Sequence, residues 1–192
     1  MFWAASFFAA AQVTSVYAGG LSTSGQGSRA ISMGGAFTGV ADDGSSIYYN
    51  PAGMSQIDGT TVEVGGLLLF TTITYKSNGA TQKSTKDVFG RSLFVTRPLN
   101  DKFTFGFGMY SPYARDASFE GDSANGFYAQ RAKMLRVDYS PVISYKVNDS
   151  FSIGGGLIIG HSQMDQSIPT GPVSRVKDKS SGIGYGAILG LL

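Results

Sequence analysis

Met134 to Val147 reads MLRVDYSPVISYKV, and the period of this stretch decides the fold. Leu135, Val137, Tyr139, Pro141, Ile143, Tyr145 and Val147 take every second position. Arg136, Asp138, Ser140, Val142, Ser144 and Lys146 lie between them. Strand side chains point alternately to the two faces of a sheet, so one face is apolar and the other polar or charged. A helix would scatter the same residues around its surface.

The same period recurs on either side. Residues 61–76, TVEVGGLLLFTTITYK, and 91–99, RSLFVTRPL, read as strands. Phe103 to Tyr113 sets Phe103, Phe105, Phe107 and Met109 against Thr104, Gly106, Gly108 and Tyr110. A strand from Phe151 to Ser162 carries Phe151, Ile153, Gly155, Leu157 and Ile159 on one face. Another, from Gly182, carries Ile183, Tyr185, Ala187, Leu189 and Leu191. Two connections, Leu99-Asn100-Asp101-Lys102-Phe103 and Val147-Asn148-Asp149-Ser150-Phe151, are short and nearly copies of each other. They alternate with polar stretches at 77–90, 114–133 and 163–181, which read as long loops.

Tight turns at one end and long loops at the other are the plan of an outer-membrane barrel. A soluble barrel alternates too, with its apolar side chains inward. Arg136, Asp138 and Lys146 opposite the apolar face fit a wet lumen better. The expected fold class is therefore all-β, an antiparallel transmembrane barrel.

Composition agrees. Charged residues are 15% of the chain and aromatics 12%, with 27 glycines. A soluble domain carries about 25% charged residues. Mean hydropathy is nevertheless near zero at +0.02, as expected when apolar residues are spread over alternate positions. A net charge of +2 does not argue for nucleic acid, and the absence of cysteine excludes disulfides and thiol catalysis. The single histidine, His161, rules out a His-based metal cluster within the chain, and no cofactor is expected. Gly154-Gly155-Gly156 lacks the Lys-Ser/Thr of a phosphate loop. Asp42-Asp43 reads as a turn former rather than a cation site.

Upstream of the strands the pattern changes. Met1 to Ala18 reads as a secretory leader, with an apolar centre from Phe2 to Ala11 and Val16-Tyr17-Ala18 as the cleavage site. No Lys or Arg precedes that centre; a buried N-terminal helix is the alternative. Residues 19–59 follow, with GQGSRAISMGGAFTGVADDGSSIYYNPAGM from Gly25 to Met54. This segment has no period of 2 or 3.6 and reads as a polar plug, or hatch, inside the barrel. Residues 60–192 supply six strands, too few to close a barrel, and an open sheet edge does not persist in lipid. The expectation is the first part of a longer barrel, truncated at its C-terminus.

The hatch carries Gly27-Ser28-Arg29-Ala30, Gly34-Gly35-Ala36, Ala41-Asp42-Asp43 and Asn50-Pro51-Ala52-Gly53-Met54, and Arg97-Pro98-Leu99-Asn100-Asp101-Lys102-Phe103 follows further on. In this order and spacing the chain resembles the FadL-type transporters of hydrophobic compounds. The resemblance implies a 14-stranded barrel, monomeric at full length, with outer-membrane lipid around it. Passive uptake of long-chain fatty acids or aromatic and aliphatic hydrocarbons would proceed through a hatch-gated lumen, with sideways release near the third strand. It implies that Asn50, Pro51, Ala52 and Gly53 belong to the gate and that Asn50-Pro51-Ala52 must move. It also places a strand kink and lateral opening at Gly106, Gly108, Ser111, Pro112 and Tyr113. Fatty-acid members carry a basic residue near the end of the fifth strand, where this chain has His161-Ser162-Gln163-Met164. Arg175 and Lys177 in the following stretch are the substitute carboxylate partners. The other function classes are a barrel enzyme acting on lipid and a structural or adhesive barrel. The first has no histidine to spare, and the second has no use for a long polar hatch.

Overall fold

A computed structural model of the chain describes residues 22–23, 25–77, 80–119, 131–169 and 175–192. The leader reading of residues 1–18, the first residues of the hatch and parts of the polar stretches lie outside them. Six strands form one antiparallel sheet in chain order: β1 Thr61–Ser77, β2 Ala80–Pro98, β3 Phe103–Ser118, β4 Arg131–Asn148, β5 Phe151–Pro169 and β6 Arg175–Leu191. Each strand pairs with the next. The segment before β1 packs on one face of this sheet and touches every strand from β3 to β6. It also reaches β1, where the Gly44 amide donates to Glu63 Oε1 at 2.6 Å. The sheet thus wraps around the hatch.

The alternation decides which face does the wrapping. Phe105, Ile143, Leu157, Ile183, Tyr185 and Leu189 all point away from the hatch and stay exposed, Leu189 at 87%. Thr96, Ser140 and Ser144, on the opposite face, are fully buried. The polar side is covered and the apolar side is bare, the reverse of a water-soluble domain. A wall against lipid has this arrangement. No helix among the described residues is long and apolar enough to cross a membrane.

The strands extend further than periodicity suggested. The stretch 77–90, read as a loop, is mostly β2: Ala80 pairs with Ser77, and the ladder runs unbroken down to Thr96↔Thr61. Only positions 78 and 79 separate β1 from β2, and their sequence, Asn78-Gly79, is the strongest short hairpin signal. Likewise 114–118, 131–133, 163–169 and 175–181 are strand rather than loop. The cause is physical. These outer ends stand beyond the apolar band, where neither face is greasy and no alternation marks the strand.

Pro141 also finds an explanation. It pairs with Phe107 of β3, while the β4–β5 ladder passes from Tyr139↔Ile159 to Val142↔Gly156 without pairing it. A residue without an N–H costs least where the ladder is already open.

Outward placement of Leu157 sets a test on the complete barrel. Leu157→Arg should destabilise it by about 2–4 kcal/mol, the cost of a cation at the mid-depth of the lipid face, in urea titrations of protein refolded in vesicles. Unchanged stability would mean that this face does not meet lipid.

Candidate functional site

The hatch is built from short pieces joined by turns: α1 Ser28–Ser32, α2 Ser46–Tyr49 and a 3-10 helix Pro51–Gln56. Ala30, Phe37 and Ala41 form a small apolar core within it, with Val40 and Tyr49 packed against them. Its other face joins the wall. Ile47 and Met54 pack with Phe94, Tyr110 and Val142, one inward residue each from β2, β3 and β4. Tyr48 stands edge-on to the Tyr110 ring at 5.0 Å, and burial raises the Tyr48 phenol above its usual pKa. Tyr110 shares a 2.7 Å hydrogen bond with Ser140. Asp42 pairs with Arg29 at 2.7 Å, and Asp43 Oδ1 accepts from the Ser45 amide and hydroxyl. Both aspartates are thus tied up within the hatch, and no metal-binding group occurs among the described residues.

Asn50-Pro51-Ala52-Gly53 is held on several sides. All of its residues are buried. The Asn50 amide donates to the carbonyls of Thr38 and Leu191 at 3.0 Å each, and its Oδ1 accepts from the Ala52 amide. The Ala52 carbonyl accepts the hydroxyls of Ser144 and Ser152, both at 3.0 Å. Proline as the first residue of the 3-10 helix presets its φ and gives up an N–H that would have had no helical partner. The wall makes room for the motif with glycine. A Cβ on Gly154 would overlap the Pro51–Ala52 peptide, and one on Gly190 would overlap the Asn50 side chain.

Gly106 and Gly108, expected at a thin part of the wall, lie inward beneath the hatch. A Cβ on Gly106 would collide with Met54 Sδ, and one on Gly108 would come within 2.8 Å of Ile47 Cγ2. In this arrangement they seat the plug.

Ser111, Pro112 and Tyr113 occupy an irregularity in β3. The β3–β4 register shifts between Tyr110↔Asp138 and Tyr113↔Arg136, so two β3 residues stand opposite Val137 alone. This is a bulge. On the other side, β2 pairs with β3 from Pro98↔Thr104 only as far as Ser92↔Tyr110. Beyond that rung the two strands part, and they meet again where the Ser118 amide donates to Ser84 Oγ at 2.8 Å. The hatch occupies the parting. Ser22 bridges Tyr113, the Thr23 amide donates to the Pro112 carbonyl at 2.9 Å, and Gln26 Nε2 donates to the Ser111 carbonyl at 2.9 Å. Nothing in the sequence singles out Thr23 or Gln26, because their partners lie 85–89 residues away.

Across the bulge, Arg136 is paired with Asp138 and lies over the Tyr113 ring at 5.8 Å. The remaining predicted residues lie elsewhere. Lys177 pairs with Ser167 in the β5–β6 ladder, and the alternation puts it on the face opposite the hatch. There it does not reach a carboxylate held in the lumen. The Arg175 backbone pairs with Pro169. His161 is exposed on the same outer face as Lys177, between Val137 and Ile183.

A family model described as outer membrane protein transport protein (OMPP1/FadL/TodX) matches residues 3–180. The chain belongs to this family. It is a protein of the Gram-negative outer membrane, and its strands are those of a FadL-type barrel wall. Among its relatives are the Neisseria meningitidis serogroup B protein NMB0088, named as an outer membrane protein, and the Escherichia coli O6:H1 long-chain fatty acid transport protein. The first is 31% identical over 128 residues, which are 60% of this chain and 27% of that protein. The second is 28% identical over 143 residues, 70% of this chain and 31% of that protein. The matched stretches thus span about a quarter to a third of these relatives. Two solved structures share the fold. A Pseudomonas aeruginosa FadL homologue has a TM-score of 0.55 at 20% identity, covering 76% of this chain and 43% of its own. A mutant of the TodX monoaromatic hydrocarbon channel reaches 0.66 at 18% identity, covering 78% and 47%.

The seat of the FadL-type hatch is testable. Gly154→Val should push the Pro51–Ala52 peptide off the wall and make the hatch sensitive to added protease, while the barrel keeps its heat-dependent gel mobility. A hatch that stays protected would show that this contact does not hold it.

Proposed function

We propose that the barrel containing this chain carries hydrophobic molecules passively across the outer membrane, with the hatch as gate and the gap between β2 and β3 as a lateral exit. The observation that carries this reading is the ladder that stops at Ser92↔Tyr110 and gives way to hatch residues. A strand pair open to lipid leaves backbone groups without partners, at a cost of several kcal/mol each in hydrocarbon. Thr23 and Gln26 supply partners at the Ser111 and Pro112 carbonyls. The plug over the opening is therefore held by a few hydrogen bonds; where lumen water replaces them, each is worth about 1 kcal/mol net, and the plug moves at modest cost.

In this reading the gate has two parts. Asn50-Pro51-Ala52-Gly53 is its fixed end, clamped to β4, β5 and β6. Residues 22–26 are the end that leaves the gap. Substrates are long-chain fatty acids or uncharged hydrocarbons, the two classes named for its relatives. Growth of a deletion strain on each class, with and without the restored gene, separates them. A lipid-acting enzyme has less support, since His161 lies on the outer face and leaves the lumen side of this chain without a histidine base.

Two variants of the full-length protein test the gate. Antiparallel bridge partners sit about 4.5–5.5 Å apart at Cα, within reach of a disulfide, and the chain has no cysteine to interfere. Ser22→Cys with Tyr113→Cys should therefore abolish most uptake when oxidised and regain it on reduction. Equal uptake in both redox states would exclude an exit at this gap. Deleting Asn50 to Ala52 should impair uptake and leave barrel assembly intact; unchanged uptake would place the gate elsewhere.

A further inference from the structure

The outer ends of β4, β5 and β6 carry charge on the face turned away from the hatch. Lys133, Asp165 and Lys179 stand in one cross-strand row, and Arg131, Ser167 and Lys177 in the next. All four cations are exposed, and none belongs to an ion pair among the described residues. Against them stands Asp165, with Asp116 on β3 opposite Lys133. Between Lys133 and Lys179 lies a concavity of about 340 Å³, with Leu135 and Gln163 on its outward-facing floor.

The depth of these rows follows from the strand geometry. Tyr145 stacks near Phe103, ring centroids 4.8 Å apart, next to the tight turns, a position suited to the lower aromatic girdle. Lys133 is twelve residues further along β4. At about 3.4 Å per residue and a tilt of about 40°, that is roughly 30 Å along the membrane normal, against an apolar band of about 25 Å. Lys133 and Lys179 therefore stand just above the hydrocarbon, at headgroup level, facing the lipid and not the lumen.

We propose that this patch binds the phosphorylated headgroup of a lipid in the outer leaflet, with Lys133, Lys177, Lys179 and Arg131 around the phosphate and the outward Leu135 and Ile183, one and two rungs below Lys133, against the start of an acyl chain. The charge excess on this face, four cations to two carboxylates, is complementary to phosphate. The outward Leu135 and Ile183 below the cations favour a lipid over a free anion. The inference is independent of what the barrel transports.

The test is native mass spectrometry of the full-length barrel in non-ionic detergent, with bis-phosphorylated lipid A as the probe. The wild type should retain one lipid A. The triple variant Lys133→Gln, Lys177→Gln, Lys179→Gln should lose on the order of a hundred-fold in affinity, since a cation near an anionic lipid surface contributes about 1 kcal/mol. The same three positions changed to Arg should keep it, and dephosphorylated lipid A should bind wild type and Gln variant equally weakly. Heat-dependent gel mobility confirms that each variant is folded. Equal retention of lipid A by the Gln variant would overturn the proposal. So would displacement of lipid A from the wild type by millimolar inorganic phosphate, which would mark a site for free anions.

Discussion

A backbone in hydrocarbon must have its hydrogen bonds satisfied, and at one place in this wall the hatch meets that need. The bulge at Ser111–Pro112 turns the outer part of β3 away from β2, and the ladder between them ends at Ser92↔Tyr110. The hatch supplies the missing partners through Thr23 and Gln26. The opening in the wall and the plug inside it are thus one device. A regular β3 would need no plug there, and a plug without the bulge would have no carbonyls to hold.

The fit between wall and hatch is made with glycine and serine. Gly106 and Gly108 seat Met54 and Ile47, while Gly154 and Gly190 let the Asn50–Ala52 backbone lie against β5 and β6. Ser144 and Ser152 then fix the Ala52 carbonyl. Contacts of this kind are short and directional, so the lower part of the hatch is rigid. Its beginning is held at the bulge by hydrogen bonds from Thr23 and Gln26 to the Ser111 and Pro112 carbonyls. In the proposed gate the seated backbone is the fixed end and the segment at the bulge is the free one.

Much of the wall was legible in the alternation of β3, β4, β5 and β6, because lipid on one side and the hatch on the other impose opposite chemistries on neighbouring residues. The reading failed where that contrast vanishes. Thr81 to Asp87 are polar on both faces, and only Asn78-Gly79 hinted that a hairpin continued there. Within the hatch, the order of short motifs pointed to Asn50-Pro51-Ala52 but not to the contacts that surround it. Ser144, Ser152 and Gly190 carried no signal, since their meaning comes from partners 92 to 140 residues away. Lys177 looked like a lumen cation until the register turned it outward.

In the proposed gate the free end of the hatch closes the β2–β3 gap while the clamped end stays in place. Hydrogen exchange of the full-length protein, with and without a hydrophobic substrate, tests it most directly. Substrate should speed exchange in the peptide containing Thr23 and Gln26 and leave the peptide from Ala52 to Gln56 protected. Faster exchange at Ala52 to Gln56 with Thr23 and Gln26 unchanged would contradict it.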